Sequence, residues 1–305
     1  MAEIVTVGSA VVDRVYAVTN LPEPDGGAFV TDSQRRAGGV AANVACALAA
    51  LDHDTAVVSR TGDDDAADLI VESLREHGVD ASSVRREDGE SSYTLILRGP
   101  DGERMIIAGG DSIPQLRLRK ADRDRLRAAD AVFTSAYAPD PVVSDLVAMR
   151  RNGNIDSLVF DLAGPLPELE GRGTTPETID TVAATADLFI TNQVAARSYL
   201  DRPPEAAAEH LRATGADRVA VTVGDGGSYL TDETTNTVHV PAVERSVVDT
   251  TGAGDQFSAA LIHAWLLGDQ PPVDAGRIAA AAAAQNCTVP GPRGALATPA
   301  DLPDY

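Results

Sequence analysis

One lysine, Lys120, stands in a chain of 305 residues; every other member of its 25 basic residues is an arginine. That scarcity excludes several chemistries. A Walker-type loop requires Gly-Lys-Ser/Thr, a protein kinase its strand lysine, and a Schiff-base enzyme a buried amine. Lys120 lies in the charged stretch LRLRKADRD and satisfies none of them. If phosphate is handled, backbone amides, arginine and metal must do it. Cysteine is nearly as scarce: Cys46 and Cys287 fall in expected helices and suggest no disulfide framework. No apolar run approaches the ~18 residues of a membrane span, and the opening MAEIVTVGSAVVD lacks a signal peptide's basic start and long apolar stretch. The histidines (His53, His77, His210, His239, His263) show no metal-ligand spacing. A soluble, cytoplasmic protein is expected.

What the chain has in excess is acid. Asp and Glu number 46, giving a net charge of −21 spread along the chain without an acidic tail. This pattern reads as adaptation to a salt-rich cytoplasm. No basic stripe exists, so neither nucleic acid nor an anionic membrane is an expected partner. The length permits one large α/β domain, residues 1–305, or a main domain with a small appendage.

Strand and helix patterns alternate. IVTVG (4–8), TAVVSR (55–60), AVFTSAY, SLVFDLA, DLFIT and RVAVTVG read as strands, and residues 40–51, 65–78, 176–185, 254–267 and 274–288 as helices among them. This order predicts a mostly parallel central sheet flanked by helices on both faces. Two segments, about 10–38 and 88–110, fit poorly; their short strands and turn residues predict a small sheet laid over the main one.

The stretch DTTGAGDQFSAALIHAWLLG (249–268) carries the chemistry. Phe257, Leu261 and Trp265 recur every four residues, so an apolar helix starts near Gly254. The first amides of a helix lack partners and bear partial positive charge. Gly252 and Gly254 let a ligand approach them, as phosphate does elsewhere. Asp255, on the first turn, is placed to accept a proton from a hydroxyl. Asp249 is free to organise the loop through a bound cation. In isolation, such a turn is better explained by an aspartate capping a helix. It is not a dinucleotide fingerprint, because Phe257 stands at the third glycine position.

DTTGAGD closely resembles the C-terminal signature of the ribokinase family, the PfkB carbohydrate kinases. Residues 37–80, beginning AGGVAANVACALAAL, resemble the family's N-terminal signature, and VTVGDGG (221–227) its nucleotide-loop segment. The resemblance spans nearly the whole chain in the correct order. It implies a ribokinase-like fold whose small sheet is a lid, often also a dimer interface, and an ATP-dependent, Mg²⁺-requiring phosphotransferase acting on a hydroxyl of a sugar or small polyol. Asp255 would be the base, and the amides of Gly252, Ala253 and Gly254 would stabilise the transferring phosphoryl group. Asp13, Gly38, Gly39 and Asn43 would bind the acceptor, and Thr222, Gly224 and Gly227 would line the nucleotide site. Asp249 and the Thr251 carbonyl, with carbonyls of the 286–295 loop, would hold a monovalent cation, K⁺.

Two features depart from the family pattern. After DLFIT the family has Asn-x-x-Glu; here Asn192 is followed by Ala195. Two and four residues beyond Asp161, where many members have Asn and Arg, stand Ala163 and Pro165. Handling of Mg²⁺ and phosphate is left to Asn192, Asp161 and water. Nucleosides and sugar phosphates (ribose 1-phosphate, fructose phosphate, ketodeoxygluconate) remain alternative acceptors, and a non-catalytic sugar or nucleotide sensor remains a second reading. Arg35, Arg36, Arg98 and Arg104 are expected in solvent, though any that faced the pocket would suit a phosphate already on the acceptor.

Overall fold

Apolar runs with no polar alternation, such as IVTV, AVFTS and LVFD, belong to strands covered on both faces. A computed structural model of the chain describes residues 1–303 and puts these runs at the centre of a nine-stranded sheet. In chain order, β1 (Glu3–Val7), β2 (Val11–Val18), β3 (Val30–Gly38), α1 (Val40–Ala50), β4 (Asp54–Thr61), α2 (Asp65–Glu76) and β5 (Val84–Arg86) form the N-terminal part. β6 (Tyr93–Arg98), β7 (Arg104–Gly109), α3 (Lys120–Leu126), β8 (Ala131–Ser135), α4 (Asp140–Arg151), β9 (Leu158–Asp161), α5 (Leu166–Leu169) and α6 (Pro176–Ala183) follow. β10 (Leu188–Asn192), α7 (Gln193–Leu200), α8 (Pro204–Thr214), β11 (Arg218–Thr222), β12 (Ser228–Asp232), β13 (Val238–Val240), α9 (Ala253–Leu261) and α10 (Pro272–Asn286) complete it.

The large sheet has the order β13-β12-β11-β10-β9-β8-β1-β4-β5, parallel from β5 through β11 and antiparallel at the β12–β13 edge. Side chains alternate between its two faces. Val132, Leu158, Phe160, Phe189 and Val221 join the core beneath α4, α6, α7 and α8. Ile4, Phe133, Val159, Leu188 and Ala220 join the opposite core against α1, α9 and α10. The sequence pattern thus fixes a three-layer arrangement. Each buried large side chain contributes about 1.5–3 kcal/mol.

Some boundaries differ from the sequence reading. The helix expected over 254–267 is α-helical only to Leu261, and Ile262–Leu267 follows as a π-helical stretch that keeps Trp265 buried. The charged segment around Lys120 forms the short helix α3, and α8 occupies a stretch that the pattern left unassigned. Cys46 lies in α1 and Cys287 caps α10; both are buried and unpaired. Among the described residues no helix is long and apolar enough to cross a membrane.

A second sheet, order β3-β2-β6-β7, is built from the two segments that fitted the main pattern poorly. Its register decides which residues share a face. Asp13 lies opposite Arg36 on β3 and Thr94 on β6, while Arg98 lies opposite Ala17 and Arg104. Because the side-chain period is two, Asp13, Arg36, Thr94, Arg98 and Arg104 share one face. Arg14 and Arg35 point the other way, where the Arg14 guanidinium lies 3.8 Å from the centre of the Tyr93 ring.

Candidate active site

α9 begins where the loop from β13 meets the segment after α10. Gly252 caps it with φ +80°, a left-handed conformation, and a Cβ there would lie 2.5 Å from the Pro292 carbonyl oxygen. Gly254 is exposed and a Cβ there would meet nothing within 4 Å, so a ligand can reach the first turn. Among the described residues the amides of Gly252 and Gly254 donate to no backbone or side-chain acceptor. The Ala253 amide donates to the Thr250 carbonyl at 3.3 Å. Two unpartnered amides at a helix start form a site for an anion.

Asp255 sits on that turn, half-buried. Burial pushes its carboxyl up to about 7; Asn43 pulls it down, the Asp161 charge pushes it up, and Arg293 and Asp13 act more weakly in opposite senses. Asn43 Nδ2 donates to Asp255 Oδ2 at 2.7 Å. The other end of the same amide, Asn43 Oδ1, accepts from Arg293 Nε at 2.9 Å. Arg293 also donates to Ser73 Oγ at 2.9 Å and to the Gly38 carbonyl at 3.4 Å. Asp13 closes this side: Thr94 Oγ1 donates to it, and an added Cβ at Gly38 would press on its carboxylate. Burial raises the Asp13 carboxyl, opposed by Thr94 and by the charges of Arg293 and Arg36. Gly39, at φ +96°, brings the chain close to the Ser9 carbonyl. Of the residues singled out in the sequence, Asp13, Gly38, Gly39, Asn43, Asp255 and the 252–254 turn are therefore brought together.

A second chain of contacts enters from the sheet. Asp161, at the end of β9, accepts from the Ala163 amide at 2.8 Å and from Ser258 Oγ on α9 at 3.3 Å. Burial lifts its carboxyl to about 6. Ala163 has φ +53°, unusual for a residue with a Cβ, and its carbonyl accepts from Asn192 Nδ2 at 2.5 Å. Asn192 Oδ1 meanwhile accepts from the amides of Val194 and Ala195, capping α7. The Asn192 amide oxygen is thus taken up by the fold and is not open to a metal, while Nδ2 keeps its second N–H. Thr222 pairs with Asn192 in the β10–β11 register, and Gly224 and Gly227 form the turn that follows. No direct hydrogen bond among the described residues joins these three to the Asp255 group.

Asp249 is enclosed by donors. Its Oδ1 accepts from the Thr251 amide (3.0 Å) and Thr251 Oγ1 (2.7 Å), and its Oδ2 from the Gly291 amide (3.0 Å) and Arg98 (3.1 Å). Although burial opposes ionisation, these donors hold the carboxyl down at about 2. The Thr251 carbonyl accepts from Asn286 Nδ2 at 2.8 Å. The Asp249 oxygens are therefore occupied by N–H and O–H donors, and the Arg98 guanidinium supplies the positive charge, so as arranged they do not fit K⁺. The Thr251 carbonyl keeps a second lone pair, and the buried Asn286 Oδ1 beside it has no hydrogen-bond partner among the described residues.

Comparison with known proteins agrees with this geometry. Residues 1–299 match the pfkB family of carbohydrate kinases. The chain belongs to that family. It is 32% identical over 269 residues to the ATP-dependent ribose-1-phosphate kinase of Halopiger xanaduensis, covering 87% of this chain and 86% of that one. The acidic composition matches the haloarchaeal source of that relative. The ribokinase of Arabidopsis thaliana, solved with ribose and ATP, superposes with a TM-score of 0.82 at 25% identity, covering 99% of this chain and 96% of the other. The nucleoside kinase of Methanocaldococcus jannaschii shares the fold, with a TM-score of 0.78 at 20% identity over 98% and 95% of the two chains.

This carbohydrate kinase places residues in its cleft that the sequence reading did not select. Arg293 follows α10 in a Pro- and Gly-rich tail and carries no local signal. Thr94 was visible only as one residue of a strand. Tyr137, after β8, donates to Glu168 Oε2 at 2.8 Å and packs against Gly164 beside Asp161; burial and Glu168 raise its phenol, so it stays protonated. Arg98 and Arg104 were expected in solvent. Arg104 is exposed and donates to Thr251 Oγ1 at 3.4 Å, whereas Arg98 is part-buried and pairs with Asp249.

Proposed function

We propose that this kinase transfers the terminal phosphoryl group of ATP to a hydroxyl of a sugar or related small polyol, with Asp255 as the general base. One observation carries the reading: a carboxylate held by Asn43 stands on the same helical turn as two unpartnered amides. The acceptor lies between Asp13, Gly38, Gly39 and Asn43, where carboxylate, amide and open backbone suit paired hydroxyls. With a carboxyl near 7, Asp255 is poised to take the hydroxyl proton at neutral pH. The oxygen then attacks the terminal phosphorus of ATP, the bond from that phosphorus to the bridging oxygen breaks and ADP leaves, and the amides of Gly252 and Gly254, with that of Ala253, meet the charge on the transferring group. Nucleotide lies along Thr222, Gly224 and Gly227, at the ends of β11 and β12.

Mg²⁺ fits as an ion carried by the nucleotide phosphates. Among the described residues no cluster of three metal-binding side chains exists, and Asp161 is the carboxylate available beside Asp255. Bound there, the ion would neutralise phosphate charge. Because donors fill the Asp249 oxygens and the Arg98 guanidinium supplies their counter-charge, the reaction needs no K⁺. The four-stranded sheet, within a single domain, serves as the lid. Phe29 and Val30 on β3's side and Met105, Ile106 and Ile107 on β7 are exposed apolar residues at its edges, which supports a homodimer formed through the lid. A cytoplasmic location suits both ATP use and the two free cysteines.

The test is Asp255→Asn, assayed by ADP release with a panel of polyols in concentrated KCl. Turnover is expected to vanish while ATP affinity, followed by thermal shift, stays near that of the parent. A variant retaining more than about a few per cent of the rate would remove Asp255 from the base role.

A further inference from the structure

Two arginines on the acceptor side of the cleft make no ion pair among the described residues, although their charges reach the Asp13 carboxyl. Arg293 is part-buried, and the groups that it meets are neutral: Asn43 Oδ1, Ser73 Oγ and the Gly38 carbonyl. Arg36 is also part-buried. It donates to Gln34 Oε1 and lies against Gly291, on the lid face that carries Asp13. Among the described residues neither has a carboxylate within ion-pair distance, although acid greatly outnumbers base in the chain. By contrast, Arg98, on the same lid face, is paired with Asp249, the buried Arg60 with Glu87, and the part-buried Arg150 with Asp187. A partly desolvated guanidinium without an anion is costly, and it loses that cost when a ligand supplies one. The net charge of −21 also repels an anionic molecule, so an anionic acceptor would need local positive charge to stay.

We propose that the acceptor is a sugar that already carries a phosphate, and that Arg36 and Arg293 bind this phosphate beside Asp13. The proposal rests on the kinase reading and narrows its substrate. Two guanidinium groups match the roughly −2 charge of a phosphomonoester better than the single charge of a sugar acid. Arg98 and Arg104 lie on the other side, over Asp249 and Thr251, next to the anion hole for the transferring group. The unpartnered Gly252 and Gly254 amides serve the migrating phosphoryl, and the Arg36–Arg293 pair the stationary one. The relative named ATP-dependent ribose-1-phosphate kinase acts on an acceptor of this class.

The experiment measures kcat/KM for matched pairs, ribose with ribose 1-phosphate and fructose with fructose 6-phosphate, together with 2-keto-3-deoxygluconate as a sugar acid. The full chain is used in constant concentrated KCl. At least one sugar phosphate is expected to exceed its unphosphorylated parent by about a hundredfold, the scale of two charge-assisted contacts. In Arg36→Met, and separately in Arg293→Met, that ratio is expected to fall by about tenfold or more, with the change mainly in KM. Using the ratio cancels any effect of Arg293 on Asn43 and Asp255. If a variant is too unstable to assay, inorganic phosphate is titrated against the parent; competitive inhibition with respect to the acceptor is expected. A neutral sugar used as well as its phosphate, a preference for the sugar acid, or a ratio untouched in both variants would each overturn the proposal. Turnover of neutral sugars alone would do so while leaving the kinase reading standing; absence of ADP with every acceptor would remove the kinase reading itself.

Discussion

Asn43→Ala should move the acid limb of the rate profile as well as lower its height. Burial and neighbouring carboxylates hold Asp255 at about 7, and Asn43 Nδ2 at 2.7 Å is the strongest group acting the other way. A hydrogen bond to a charged oxygen is worth about 1.5–3 kcal/mol, with the lower end suited to a part-exposed carboxylate. At about 1.4 kcal/mol per factor of ten, its loss weakens the acid roughly tenfold. Near neutrality the parent has half of Asp255 ionised, and the variant about a tenth. Ionisation alone therefore lowers kcat/KM about fivefold near pH 7, with recovery toward the parent by about pH 9. Any lost contact with the acceptor lowers the curve by a further factor that does not vary with pH. Initial rates of ADP formation, read by chromatography between about pH 5.5 and pH 9.5 at fixed KCl, give the profile. Asp161, lifted to about 6, titrates in the same range and interacts with Asp255, so the limb belongs to the pair; a parallel profile of Asp161→Asn separates them. An unchanged midpoint with a uniformly lower plateau would refute the reasoning, leaving Asn43 as an acceptor ligand only.

Gly252→Ala places a Cβ 2.5 Å from the Pro292 carbonyl in a left-handed residue, so a loss of about 1–3 kcal/mol in unfolding free energy and a marked drop in rate are expected together; normal activity would show that the turn can relax. Asp255→Asn should melt higher than the parent at about pH 8. The raised carboxyl stabilises the fold below its unfolded value near 4 and loses that contribution as pH rises through about 7, so the difference in Tm should vanish by about pH 4. Equal melting at the higher pH would contradict it. Replacing KCl by NaCl at equal concentration should change the rate by less than about twofold, because Arg98 already neutralises Asp249; Arg98→Met should make the rate respond to K⁺. A strong K⁺ requirement in the parent would mean that Arg98 leaves Asp249 in the working enzyme. Phe133→Ala, in the core between β8 and α1, should cost about 3–5 kcal/mol in denaturant unfolding.

The parts of this kinase that could be read from sequence are those whose cause is local. Continuous apolar runs give buried parallel strands, because a strand covered on both faces has no polar side. DTTGAGD declares its site within seven residues, because a left-handed glycine, free amides and an aspartate on the first turn are all set by neighbours in the chain. Arg36, Arg98 and Arg293 obey no such rule. Whether Arg35 or Arg36 faces the cleft depends on the β2–β3 register, and a slip of one residue would exchange them. Arg293 reaches Asn43 across a separation of 250 residues, from a loop with no periodicity of its own. Asn192 shows the opposite failure. It stands where the family pattern has an asparagine, yet the start of α7 takes its oxygen and the left-handed Ala163 one of its two N–H groups. Sequence position locates a side chain near the chemistry, but hydrogen-bond accounting decides whether any lone pair is left for a ligand. Applied to this cleft, that accounting removes the side-chain oxygens of Asn192 and Asp249 as open ligand atoms and leaves Asp255, two backbone amides and two unneutralised guanidinium groups.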